Sequence, residues 1–148
     1  MSGDASFLAD TSCLVAAICT WHERHADSAG EIRKRRKRGE TMVVAGHSVL
    51  ETYAVLTRLP SPHRLSPETA RTVVLANVGE RVVTLQPSGY RSLLDQLEAG
   101  NVSGGRSYDA LIAACAVEAG VEVLLTLNAP HFRQFETPRL KIVIPSED

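Results

Sequence analysis

Apolar residues fall along the chain in short blocks whose spacing switches between strand-like and helix-like. Phe7, Leu8 and Ala9 form a compact apolar run that ends on Asp10, and the run has the length of a buried strand. Residues 13–20 are apolar and helix-compatible, with Thr11 or Ser12 suited to the N-cap. Residues 21–38 are polar, but Trp21, His25, Ala29 and Ile32 recur at helical spacing, and Gly39 stops the segment. Residues 41–45 suit a buried strand. The Gly46, His47, Ser48 turn then leads into a helix over 49–59 that Pro60 and Pro62 terminate. Ser66, Pro67 and Glu68 carry a helix-start signal, and that helix should run to about Val78. A strand over 81–85, a helix over 87–97 and a glycine-rich loop over 100–105 follow. A helix over 106–119 is closed by Gly120, and strands over 121–126 and 140–144 complete the chain.

Strands thus alternate with helices, which predicts an α/β domain whose mainly parallel sheet is covered on both faces. No repeat, low-complexity tract or linker divides the sequence, so residues 1–148 read as a single domain. Hydrophobic residues at 44% and charged residues at 22% are ordinary for a globular protein with a substantial core. No stretch has the length and apolarity of a membrane span, and the N-terminus lacks a secretion-signal pattern, so a cytoplasmic location is expected. Cys13, Cys19 and Cys115 lie in apolar surroundings and read as buried reduced thiols, not as a disulfide frame or a zinc site. The formal net charge of -1 hides a run of six cations, Arg33, Lys34, Arg35, Arg36, Lys37 and Arg38. Such a run either grips RNA phosphates or is a solvated helix face.

Candidate chemistry lies in the acids. Asp10 falls at the carboxyl end of the first strand, where it either caps the following helix or faces a ligand. Glu51 stands in an apolar helix and needs a partner. Arg58, two turns on, is one choice, and a shared acidic site is the other. Asp109 opens a helix that carries no further charge before Glu118. It either complements the helix dipole or faces the same sheet edge as Asp10. Thr126 and Asn128 end the fourth strand, as turn residues or as part of that edge. In a parallel sheet all these strand ends share one edge, and carboxylates gathered there repel one another unless a cation sits between them. An all-oxygen donor set suits magnesium or manganese. The histidines lack zinc-site spacing; His22 and His25, three apart on the polar helix, read as solvated.

Four ordered motifs carry a resemblance. Leu8-Ala9-Asp10-Thr11-Ser12, the segment 51–60 beginning Glu51-Thr52-Tyr53, Tyr108-Asp109-Ala110-Leu111-Ile112, and Thr126-Leu127-Asn128 together resemble the PIN domain. Within that family they are most similar to the VapC-type toxins of toxin–antitoxin pairs. The resemblance implies a three-layer α/β/α fold, a magnesium- or manganese-dependent ribonuclease, a homodimer and a cognate antitoxin. Carried over by position, Asp10, Glu51 and Asp109 form the acidic site, with Asp10 and Asp109 binding the metal directly. Ser12 and Thr126 supply hydroxyl support, and Asn128 supports the site by hydrogen bonds. The last motif offers Asn128 and His131 but no acid before Glu136, which implies one firmly held metal and a second that arrives with substrate.

Two other readings compete. A nucleotide-binding or phosphatase domain would need a glycine fingerprint or a second aspartate near Asp10, and Ser12 stands there instead. Ser103 and Ser107 have no base at a recognisable spacing, so no covalent nucleophile is expected. The alternative is a catalytically weak PIN-like module that only binds RNA or protein.

Overall fold

The computed structural model describes residues 5–146. Its five strands are β1 (Ser6–Ala9), β2 (Thr41–Ala45), β3 (Arg81–Val83), β4 (Val123–Leu125) and β5 (Lys141–Val143). They pair in parallel throughout, in the order β3-β2-β1-β4-β5. The helices are α1 (Thr11–Ile18), α2 (His25–Lys37), α3 (Gly46–Thr57), α4 (Pro67–Asn77), α5 (Pro87–Ala99), α6 (Arg106–Ala119) and the short α7 (Ala129–Phe132).

Alternate residues of each strand feed different cores. Phe7, Ala9, Met42 and Val44 pack with Cys13 and Leu14 of α1, and with Ile32 of α2. Leu8, Val43 and Ala45 point the other way, onto Ala110, Ile112, Ala113 and Ala116 of α6. On the α1 side, Leu56 of α3 and Ala70 and Val74 of α4 close a further cluster around Cys19. The result is the expected α/β/α sandwich. Because both sheet faces are buried, β1 and β2 read as continuous apolar runs.

The strand order creates the site. From β1 the chain steps outward through β2 to β3, then crosses back so that β4 lies on the other side of β1. The carboxyl ends of β1 and β4 therefore flank a topological switch point, where open α/β sheets hold ligands. Gly46 lets α3 leave β2 without a gap, since a Cβ there would lie 2.8 Å from Thr84 Cγ2. Gly120 closes α6 in the left-handed region at φ 70°, as the sequence predicts.

Several local expectations need correction. The polar helix begins at His25, not Trp21, because residues 19–24 form a turn. His22 and His25 hold that turn and are not simply solvated. The Arg24 N–H donates to His22 Nδ1 (3.0 Å), and His25 Nδ1 lies 2.9 Å from the Ala16 carbonyl oxygen. Helix α3 absorbs the predicted turn and starts at Gly46. Asp10 itself, rather than Thr11 or Ser12, is the N-cap of α1. Helix α7 went unforeseen: four residues are too few to show periodicity, although a proline near its start is a helix-start signal. All three cysteines are buried and free, as expected, and burial with the nearby Glu118 charge pushes the Cys115 thiol up to about 11.

Candidate active site

Asp10 is the centre of the site. It leaves β1 with its N–H donating to the Leu125 carbonyl of β4 (3.1 Å), and only 3% of it is exposed. Its Oδ1 accepts from the Cys13 N–H (3.0 Å) and from the Ser12 hydroxyl (2.7 Å), and the Thr126 hydroxyl also bonds the carboxylate. Burial pushes the Asp10 carboxyl above its ordinary value, against the pull of these Thr126, Ser12 and Cys13 hydrogen bonds. The cap bond fixes the carboxylate at the switch point, so capping the helix is compatible with facing a ligand there.

Ser12 and Thr126 both set hydroxyls against Asp10. Ser12 donates to Asp10 and accepts from the Leu127 N–H (3.0 Å), which ties α1 to the end of β4. Thr126, fully buried, also accepts from the Asn128 N–H (2.9 Å). Asn128 thereby contributes through its backbone; the residue is exposed and its side chain makes no cap bond.

Glu51 lies on the second turn of α3 and reaches the site through Thr11. The Thr11 hydroxyl donates to Glu51 Oε1 (2.6 Å) and shares a hydrogen bond with the Ser48 hydroxyl (3.0 Å). Arg58 is not its partner: it sits at the C-cap of α3, while His47 Nε2 lies 3.5 Å from Glu51 Oε1. Helix α3 is also less buried than its composition suggests, with Leu50 70% exposed.

Asp109 lies in the first turn of α6, at the same sheet edge. Its Oδ2 is 3.5 Å from His131 Nδ1 and 3.8 Å from Arg106 Nε. Burial raises the Asp109 carboxyl above its ordinary value; the His131 and Arg106 charges oppose this, and the Glu51 charge adds to it. Asp109 and Glu51 therefore sense one another across the crevice. Sequence reasoning assigned no role to Thr11 as a bridge, or to Arg106 and His131 as counter-charges. The only sequence signal for them is position, beside Asp10, beside Asp109 and inside the last motif.

These side chains are drawn to their own partners. Among the described residues, no three His, Cys, Asp or Glu side chains converge as a ready-made ion site. The donor chemistry nevertheless fits a hard divalent cation. Three carboxylates share one edge, two are raised by burial, and one feels the charge of another. Glu136 is not a fourth donor, because its Oε2 accepts from the Ile142 N–H (3.0 Å) and lies 3.7 Å from Arg133 Nη1.

The basic run lies at the other end of the sheet. Helix α2 ends where the chain turns into β2, and the Thr41 N–H bonds the Ala5 carbonyl there (3.0 Å). The depth of the sheet, ~15 Å by strand rise, separates the run from Asp10. Arg35 pairs with buried Glu31 (2.7 Å) and with Glu40 (3.0 Å), Lys34 with Glu31 (3.5 Å), Arg38 with Glu40 (3.0 Å) and Arg36 with Glu80 (3.3 Å). Burial alone would raise the Glu31 carboxyl, but the Ser146 N–H, Arg35 and Lys34 outweigh it and hold that carboxyl below its ordinary value. Arg33 and Lys37, one turn apart and exposed, carry no ion pair among the described residues.

A parallel sheet with acids from three chain segments at its switch point defines an α/β domain built around an acidic crevice. The sequence model of the PIN domain matches residues 7–136, and the chain belongs to that family. It is 36% identical to Ribonuclease VapC40 of Mycobacterium tuberculosis over 133 residues, covering 90% of this chain and 94% of that one. Ribonuclease VapC27 of Mycobacterium tuberculosis is 31% identical over 135 residues, covering 91% of this chain and 93% of the relative. Among solved structures, VapBC2 from Rickettsia felis bound to a promoter DNA fragment superposes with a TM-score of 0.68 at 16% identity, covering 95% of this chain and 99% of that chain. Mycobacterium tuberculosis VapC20, described as a Sarcin-Ricin loop cleaving toxin, gives a TM-score of 0.59 at 19% identity, covering 80% and 86%. At those identities the structural likeness bears on the fold.

Proposed function

We propose that this chain is a divalent-metal-dependent endoribonuclease acting as the toxin of a toxin–antitoxin pair. The observation that carries the reading is that Asp10, Glu51 and Asp109 lie on one carboxyl edge of the sheet, with Asp109 feeling the Glu51 charge and both aspartates raised by burial. The names of its curated relatives, ribonucleases of the VapC type, support it.

Asp10 and Asp109 would hold a magnesium or manganese ion, with Glu51 binding it or orienting its water. When bound, that ion supplies positive charge for the phosphodiester and lowers the pKa of a water. Ser12, Thr126 and the Cys13 N–H fix Asp10 in one orientation, so the site's central donor has little freedom to lose on binding. Thr11 does the same for Glu51. Arg106, and His131 when protonated, lie against Asp109, where they offset part of the acidic charge that would repel an RNA phosphate.

A cognate antitoxin and a homodimer belong to this reading. A groove of about 570 Å³ between α1 and α2 has an apolar part (Leu14, Ala17, Ala29, Ile32) and a basic part (Arg33, Arg36, Lys37). It suits an antitoxin helix with an apolar face and acidic flanks, which would cover the same cations that could hold RNA. No helix of the described residues is long and apolar enough to cross a membrane. The test is to incubate the purified chain with total RNA in magnesium and map the cut ends, beside expression in cells with and without the adjacent gene. Discrete cleavage and growth arrest relieved by that gene are expected. Binding of RNA without any cleavage, at any divalent ion, would favour the non-catalytic module.

The basic run's part in holding RNA narrows to Arg33 and Lys37, because its other four cations already face carboxylates. Replacing both with glutamine is expected to weaken single-stranded RNA binding and to flatten the salt slope by roughly 0.7 for each phosphate no longer neutralised. Affinity measured at several salt concentrations checks it. An unchanged slope leaves the run as a solvated helix end.

A further inference from the structure

Only 5% of the chain is aromatic, and little of that lies near the acids. Phe7 and Phe132 are in the core, at 0% and 1% exposure, and Trp21 stacks on His63 with ring centroids 4.1 Å apart, beyond the far end of α1. Tyr108 is different. It precedes Asp109 in the first turn of α6, and its ring lies flat on His47 of α3, with centroids 4.8 Å apart and planes 2° from parallel.

His47 is a fixed brace. Its Nε2 is buried without a hydrogen bond, and Glu51 Oε1 lies 3.5 Å away. Through His47 the stacked pair lies beside Glu51, and its tyrosine is the residue before Asp109 in α6. One face of the tyrosine is covered by the imidazole, yet Tyr108 remains 53% exposed, so its opposite face is open to solvent. An apolar ring left open beside carboxylates, and held rigid by a parallel stack, serves no core. It has the form that unpaired nucleobases use, since every base offers a π-face and stacking tolerates sequence.

We propose that Tyr108, braced by His47, is the stacking platform for an unpaired nucleobase next to the scissile phosphate. The assignment rests on the nuclease reading and adds a position to it: one unpaired base laid on Tyr108. A duplex keeps its bases stacked on each other and cannot supply one. Shape recognition of a structured RNA, which the scarcity of aromatic residues would otherwise favour, then applies only outside this position.

The probes are fluorescently labelled oligoadenylate, oligouridylate and the duplex of the two, bound in calcium and followed by anisotropy. Tyr108→Leu keeps an apolar side chain against His47 but removes the π-face, and Tyr108→Phe keeps both. The leucine variant should lose roughly 5- to 150-fold in single-strand affinity, more for adenylate, while the phenylalanine variant stays near wild type. Duplex affinity should change in neither. If Tyr108→Leu binds single strands like wild type while wild type cleaves RNA, the platform is overturned and the nuclease reading stands. If wild type neither binds nor cleaves any RNA, both fall. If the leucine variant alters only the sedimentation of the protein alone, Tyr108 belongs to an interface between copies, and the platform is again overturned.

Discussion

Replacing Asp10 by asparagine is expected to end RNA cleavage and, in the same protein, to raise the melting temperature in EDTA. The two effects have one cause. Asp10 is 3% exposed, and burial raises its carboxyl above the ordinary value despite hydrogen bonds from Thr126, Ser12 and Cys13. An acid raised in the folded state binds protons more readily there than when unfolded. Its stabilising contribution is complete below the unfolded value near 3.8 and is lost as pH rises through the folded one. At neutral pH the buried anion therefore costs folding free energy in the metal-free protein. Asparagine keeps an oxygen to accept the Cys13 N–H and carries no charge. A gain of about 1 kcal/mol would appear as roughly 2–4 °C for a chain of this size. Cleavage should fall by more than the roughly 10–100-fold that losing an outer-shell partner costs, because a ligand itself is gone. Melting curves across pH 4–8, beside a cleavage assay, read both. A variant that melts lower than wild type yet still cleaves would make Asp10 a helix cap and nothing more.

Asp10's place as a helix cap at a strand end explains why the centre of the candidate site was legible in the sequence and its rim was not. An apolar run ending on an acid, followed by hydroxyls and a helix, fixes the carboxyl end of a strand with local information alone. The same holds for Asp109 at the head of an almost uncharged helix. Five strands and six of the helices follow from periodicity for this reason. Glu51 shows the limit. Composition suggests a buried helix and an ion pair with Arg58, but α3 starts a turn earlier than its apolar residues imply. At its other end α3 stops at Thr57, so Arg58 falls at the C-cap, and Thr11, 40 positions away in sequence, is the carboxylate's partner. Only the parallel pairing of β1 with β2 brings Thr11 and Glu51 together. His131 and the His47–Tyr108 stack are long-range in the same way, while Arg106 is a local i,i+3 neighbour of Asp109. Asn128 was legible as a position but not as a role, because its backbone, not its amide, makes the bond to Thr126.

Chelation is expected to abolish cleavage, and magnesium or manganese to restore it, while calcium, larger and less exacting in geometry, binds but supports it poorly. The stronger form of this prediction is in stability against pH. Without metal, Asp10 and Asp109 are both raised above their ordinary values, so the protein loses stability as pH rises from about 4 through the raised values. With metal the sign reverses, because the ligand carboxylates must be ionised and rising pH removes the competing protons. Binding to the folded chain stabilises it by RT ln(1 + [L]/Kd), about 1.4 kcal/mol at ten times Kd, and that increment should grow across the same window. Melting temperatures with EDTA and with magnesium should therefore run close together near pH 4 and diverge toward pH 7. Asp10→Asn should bring the two curves back together, since it removes both the penalty and a ligand. Arg106→Gln is expected to widen the gap at neutral pH, because the guanidinium 3.8 Å from Asp109 Oδ2 competes with the ion for that carboxylate. Parallel curves in wild type, or full cleavage in EDTA, would show that the acids on this sheet edge serve some purpose other than holding a metal.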